Sequence, residues 1–519
     1  MTPELSEIAR RLGYPYEESL ERFEPEPSLL SRIPRELALS RKVLPLRLEE
    51  GTLMVATANP LDILILDELR GIYGYPLSVV VTPPETLSEE INRLYALLST
   101  SAQDVVQELE GEDLSSVATS FAEPKDLLDL SDDAPVIRLL NSILFQGVKE
   151  RASDIHIEPF ERDLIVRYRI DGILYRVLTP PKVIQDALAS RVKIMAGLDI
   201  AEKRLPQDGR IRVIVAGREV DIRVSTVPTS FGERIVLRIL DKQRGIISLS
   251  SIGLSPRDEQ LVTRLLSRTS GMILVTGPTG SGKTTTLYAM LNHLNSPEKN
   301  IITIEDPIEY QLHGVGQIPV NPKIDLTFAN GLRSILRQDP DIIMVGEIRD
   351  TETAEIAMQS SLTGHLVLST LHTNDAASAV TRLIDMGIEP FLVASTLSCV
   401  IAQRLVRRIC PHCRVPYHPD PTSFPGVTLP GTLYRGTGCD HCFGHGTMGR
   451  VAIYEILAVD PEIVGMVVRR APASTIKEYA LSRGMRTLRD DGVAKAAEGI
   501  TTLEEVMRVT QDDYADLSV

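Results

Sequence analysis

The stretch "MILVTGPTGSGKTTTLYAML", Met272 to Leu291, decides the fold of this 519-residue chain. An apolar run, Met272 to Thr276, enters a GxxxxGKT pattern from Gly277 to Thr284, and a helix-forming sequence leaves it. Glycines at 277, 280 and 282 permit a tight backbone path that turns N–H groups toward an anion. The helix N-terminus behind them adds positive potential. Lys283 then suits the β- and γ-phosphates of a nucleotide, and the Thr284 hydroxyl a Mg2+ ion. Pro278, Thr279, Ser281 and Thr285 complete the loop.

Downstream, strands and helices alternate through residues 246–405, the pattern of a parallel sheet with crossover helices. "NIITIEDPIEY" delivers Glu305, Asp306 and Glu309. "DPDIIMVGEIRDTE" places Glu347 just past the strand Ile342–Val345. Carboxylates beyond strand ends face the crevice where parallel sheets bind ligands. One can hold a metal's water shell while another orients an attacking water; helix-cap acids are the plain alternative. "GHLVLSTLHTN" puts His365 and His372 at opposite ends of a strand, where structural histidines are the commoner case. Arg333 and Arg337, four apart on "FANGLRSILRQ", share a helix face, either as a solvated stripe or as anion ligands.

Composition bounds the rest. A hydrophobic fraction of 43% and a charged fraction of 24% suit a soluble globular protein of several domains. No run approaches the roughly 18 apolar residues of a membrane span. "FLVASTLSCVIA", read as an apolar helix burying Cys399, is the nearest. The opening "MTPELSEIARRLG" lacks a basic-then-apolar signal, so a cytoplasmic chain is expected. A net charge of −15 argues against non-specific nucleic-acid binding. Residues 99–133 hold ten Asp or Glu against Lys125 alone, −9 of that total, and read as an acidic flexible linker.

Before the linker, residues 1–98 read as a small α/β module without a catalytic signature, with strands at "TLMVATA" and "PLSVVVTP". After it, residues 134–245 read as an α+β domain, with two strands around an Asp171–Gly172 hairpin turn. Residues 406–450 carry four of the five cysteines, and residues 451–519 read as helical. Cys410-x2-Cys413, 25 intervening residues and Cys439-x2-Cys442 give the spacing of a four-thiolate zinc site. A dithiol redox switch is the alternative, and His412, His441 and His445 are bystanders to four thiolates.

Together "GPTGSGKTTT", "IEDPIEY", "LRQDPDIIMVGEIRD" and "TGHLVLSTLHTNDA" resemble the Walker A, Asp box, Walker B and His box of the type II secretion/type IV pilus assembly ATPases. "RASDIHIEPF", "RYRIDG" and "RLPQDGRI" are similar to that family's second N-terminal domain, and the cysteine pairs to its zinc subdomain. "GVGQIPVNPKIDLTFANGLRSILRQDPD" leans toward the type II secretion motors. The resemblance implies a multidomain α/β and α+β chain: a RecA-like P-loop NTPase core with a parallel sheet, a PAS-like α+β domain and a small tetracysteine zinc subdomain. It implies ATP, Mg2+ and Zn2+ as cofactors and a homo-hexamer driving pseudopilus assembly. An inner-membrane platform protein and the cytoplasmic domain of a membrane-anchored component are the implied partners, at the bacterial inner membrane. Lys283 and Thr284 take the phosphate-loop roles, Glu305 that of general base and Glu347 that of the metal-associated acid. Arg223 and Arg238 match arginines that reach the nucleotide phosphates. Arg333, Arg337, His365 and His372 match further residues around the nucleotide. A pilus motor and a nucleotide-gated scaffold with little turnover are the rival readings.

Overall fold

The computed structural model describes residues 5–98, 135–240 and 248–510, apart from 21–22, 24–25, 31, 50, 216–217, 420–423 and 425–430. The acidic linker assigned to 99–133 lies outside the described residues. The chain divides into two compact units, Met1–Lys242 and Gln243–Val519.

The first unit holds two sheets. Strands β1 (Val43–Glu49), β2 (Thr52–Thr57) and β3 (Leu77–Val81) form the smaller one. β1 escapes the sequence reading because Pro45 interrupts it; the register slips between Pro45 and Arg47, as prolines in strands favour. The larger sheet has β4 (Asp154–Pro159), β5 (Leu164–Ile170), β6 (Ile173–Leu178), β7 (Gln207–Val215), β8 (Arg218–Thr229) and β9 (Gly232–Leu240). Its order is β6-β5-β4-β9-β8-β7, antiparallel throughout. Asp171 and Gly172 both take positive φ, 48° and 90°, as a two-residue primed hairpin turn requires. Helices Pro135–Lys149 and Gln185–Ala196 cover one face, burying Leu139, Ile143, Leu188 and Val192 against Ile155, Ile222 and Leu237. The other face carries charged side chains, among them Asp154, Arg169 and Arg238.

The second unit is built on β10 (Gly271–Thr276), β11 (Ile301–Glu305), β12 (Gly316–Pro319), β13 (Ile342–Val345), β14 (Leu366–Leu371), β15 (Leu397–Ile409) and a later strand. The order is β12-β11-β13-β14-β10-β15, all parallel. Every residue of β10 is buried because helices pack on both faces. Ile273 and Val275 meet Leu287 and Leu291 of the helix Lys283–Leu294, while Met272 and Leu274 belong to the core on the opposite face.

Two expectations change here. Cys399 lies in β15, not in a helix; a short wholly apolar run fits either buried element. Residues from 451 do not start helical, because a later strand, Thr447–Ala458, pairs antiparallel with β15 and closes the sheet edge. Between them β16 (Arg414–Tyr417) and β17 (Leu433–Gly436) form a two-stranded ribbon beside the cysteines, which makes the closing strand β18. Four helices between Pro461 and Val509 follow β18.

Candidate functional site

Parallel strands bring their C-terminal ends to one edge, and there the predicted residues gather. β10 runs directly into Gly277, which has φ +150° and leaves no room for a side chain. A Cβ there would stand 2.5 Å from the Gln403 carbonyl oxygen, and one on Gly282, φ +88°, would stand 2.8 Å from Gln403 Nε2. The glycines therefore seat the loop against β15 as well as permitting its turns. Buried Gln403 also accepts from Thr286 Oγ1 at 2.7 Å, fixing the first turn of the helix. Pro278, Thr279, Gly280 and Thr284 are exposed, Thr285 half-buried, and the helix N-terminus stands behind them. Exposed amides, a helix start and an exposed hydroxyl suit a phosphate chain and its metal.

Lys283 Nζ donates to the carbonyls of Gly277 (2.7 Å) and Pro278 (3.1 Å). Burial pulls its ammonium down to about 8, with Glu347 pushing the other way and Arg404 adding to the fall. Glu347, just beyond β13, pairs with Arg349 Nη2 at 2.6 Å and lies 3.4 Å from His372 Nε2. Gly346 precedes it for a steric reason: a Cβ there would meet Ile304 O at 3.3 Å and the Glu305 Cα at 3.4 Å.

Glu305 ends β11 and is 3% exposed. Its Oε1 accepts from Thr303 Oγ1 (2.6 Å) and Gln317 Nε2 (3.0 Å), and its Oε2 accepts from the Tyr288 hydroxyl. A carboxylate offers about four acceptor sites, so three donors leave room for one more. Burial, and then the bond to Glu305, push the Tyr288 phenol far up. Asp306 and Glu309 follow on an exposed turn, where Arg349 feels the charge of Asp306.

The fold thus collects Lys283, Glu347, His372, Glu305 and Asp306 at the ends of β10, β11, β13 and β14. The other predicted residues have surroundings of their own. His365 precedes β14, at the end away from the loop, with Nδ1 2.8 Å from Ser360 O. Arg333 pairs with Glu352 at 2.6 Å, and Arg337 donates to Arg333 O at 3.0 Å. Arg223 and Arg238 lie in the first unit, on the charged sheet face. Sequence reasoning missed Tyr288, Gln403, Arg349 and Arg404. Arg404 is buried and donates through Nη2 to Asn374 O (3.1 Å) and Oδ1 (3.2 Å), joining the segment after His372 to β15.

The cysteines converge independently. All four Sγ atoms lie within 4.8 Å of one another. Cys410–Cys439 and Cys413–Cys442 are each 3.8 Å apart, and Cys439–Cys442 3.7 Å. Those separations exclude disulfides. They match a tetrahedron's edge of about 3.8 Å for a Zn–S bond near 2.3 Å. Backbone N–H groups of Cys439 and Gly446 donate to Cys442 Sγ, each at 3.2 Å. Burial raises the Cys442 thiol, but these donors outweigh it and bring the group down to about 7. Burial holds Cys413 at about 11.

A model of the family described as "Type II/IV secretion system protein" matches residues 129–508, and an MshEN domain model matches 12–101. The chain is 49% identical over 487 residues to the type II secretion system protein E of Pseudomonas aeruginosa, covering 93% of this chain and 97% of that one. It is 49% identical over 459 residues to the type II secretion system ATPase E of Vibrio cholerae, covering 87% and 91%. The X-ray structure of the Legionella pneumophila ATPase DotB shares the fold, with a TM-score of 0.55 at 21% identity, covering 72% of this chain and 96% of that one. Glycine loop, paired strand-end acids and these relatives agree: the chain belongs to the type II/IV secretion system protein family and is an ATP-hydrolysing secretion ATPase.

Proposed function

We propose that the chain is the motor of a type II secretion system, working as a homo-hexamer that couples ATP hydrolysis to pseudopilus assembly. The observation that carries this is the shared edge of the parallel sheet, where the glycine loop, Glu305 and Glu347 meet. Loop amides and Lys283 hold the phosphates, with Asp306, Glu309, His372, Arg333 and Arg337 around them and His365 at the far strand end. Thr284 and Glu347 would hold Mg2+, which when bound would offset the negative charge of the phosphates. Glu305, held by three donors, uses its remaining acceptor site to orient the attacking water and take its proton. Arg223 and Arg238 approach the phosphates; an arginine brought to a transferring phosphoryl group is worth about 10³–10⁵ in rate. The cysteine cluster holds a structural Zn2+.

No helix among the described residues is long and apolar enough to cross a membrane. Attachment to the inner membrane is therefore assigned to partners: a platform protein, and the cytoplasmic domain of an anchored component docked on residues 1–98. Phosphate release by the full chain tests the core of the reading. Lys283→Ala and Glu305→Gln should each abolish turnover, and sedimentation with a non-hydrolysable analogue should show a six-chain species. Undiminished turnover in Lys283→Ala sinks the assignment.

A further inference from the structure

The open face of the six-stranded sheet carries a row of arginines. Arg210 on β7 stands directly opposite Arg223 on β8, which stands opposite Arg238 on β9. Directly paired residues project to the same side with Cβ atoms about 5 Å apart, and like charges so placed repel. The row continues through Asp154 on β4 to Arg169 on β5.

Most acids of this face are already engaged. Asp154 accepts from Arg238 Nε at 2.9 Å and lies 3.8 Å from Arg169 Nε. Glu158 takes Arg167 at 2.6 Å and Arg234 at 2.7 Å. Asp221 faces Arg212 at 3.4 Å. Exposed Asp208 and Glu219 are the exceptions; Asp208 stands opposite Ser225, two register pairs from the Arg210–Arg223 pair, and Glu219 opposite Ile214, four pairs from it on the other side. Arg210 and Arg223 make no hydrogen bond or ion pair among the described residues. A cleft of about 590 Å³ opens over Arg210, Arg223, Arg238, Ser225 and Asp208.

Local packing keeps Arg210 in this place. Gly209 faces the helical side, where a Cβ would stand 2.7 Å from Ala196 O, so β7 lies tight against the layer beneath and Arg210 is turned to the open side. Three guanidiniums in register, two of them unneutralised, cost stability unless an anion joins them.

We infer that Arg210 is a third member of the phosphate-binding set, closing with Arg223 and Arg238 a clamp for the terminal phosphates of a nucleoside triphosphate. This rests on the proposal that Arg223 and Arg238 act on nucleotide phosphates. Asp154 orients Arg238 in advance, while Arg223 and Arg210 supply the uncompensated charge.

The test measures ATP turnover and nucleotide-free melting temperature of the full chain with Arg210→Gln, Arg210→Lys, Arg223→Gln and, as a control on the same strand and face, Arg212→Gln. Arg210→Gln should turn over roughly ten- to a hundredfold more slowly than Arg212→Gln, the scale of one charge-assisted contact. It should melt no lower, because a like-charge repulsion has gone, and Arg210→Lys should recover part of the rate. Turnover equal to that of Arg212→Gln, or a loss accompanied by a lower melting temperature, overturns the inference. If Arg223→Gln falls and Arg210→Gln does not, only the role of Arg210 fails. If neither falls, the underlying assignment of Arg223 fails with it.

Discussion

The Tyr288 hydroxyl donates to Glu305, so the helix that leaves the phosphate loop and the strand that carries the buried acid share a hydrogen bond. Tyr288→Phe should therefore leave the fold intact but cost about 1–3 kcal/mol, since a buried carboxylate loses a donor. Turnover should fall while the KM for ATP stays near its original value. Urea unfolding and steady-state phosphate release check both, and a variant with a raised KM at unchanged kcat would contradict the coupling.

Lys283 gives a pH dependence with a defined sign. Burial lowers its folded pKa to about 8, against 10.5 for an ordinary lysine. Below about 8 the ammonium is charged, and above it the neutral amine prevails. A bound phosphate favours the charged form, so nucleotide binding takes up a proton at higher pH, and affinity falls by roughly tenfold for each pH unit above about 8. Calorimetry of a non-hydrolysable analogue in buffers of different ionisation heat reads that uptake directly. Equal affinity on the two sides of that pKa, one pH unit or more away from it in each direction, would exclude the uptake.

Gly346→Ala should cost about 1–3 kcal/mol, the range for overpacking. The new methyl would press on Ile304 O and the Glu305 Cα, both backbone atoms with little freedom to yield. Turnover should drop with it, because the displaced strand end carries Glu305. Full activity with unchanged unfolding would show that the two strand ends tolerate separation.

Zinc content is the fourth measurement. Metal analysis should find about one Zn2+ per chain, released on Cys442→Ser together with a lower melting temperature. A chelated sample whose unfolding curve does not move would show the sulfurs to be a metal-free cluster.

Chemistry written in adjacent residues was legible before any fold was known. Glycines at 277, 280 and 282 and the two Cys-x2-Cys pairs carry their geometry in their spacing, and the structure gathers each set as that spacing implies. Partners brought together by sheet order were hidden. Gln403 lies 117 positions from Thr286, and Tyr288 lies on a helix whose apolar spacing marks it as core. Arg210 lies 13 positions before Arg223, and only the register of β7 on β8 sets the two side by side. His365 shows the reverse: its position in the motif suggested proximity, yet a parallel strand carries it to the far end.

β15 has a mechanical consequence. Its 13 residues run without a break from beside β10, past Gln403 beneath the phosphate loop, to the edge of Cys410. From Gln403 to Ile409 is about 20 Å of extended chain. Beyond Ala402 the strand pairs with β18 alone and its register slips between Arg407 and Ile409, so a displacement of the loop floor would pass along β15 toward the cysteines with part of it absorbed at that slip.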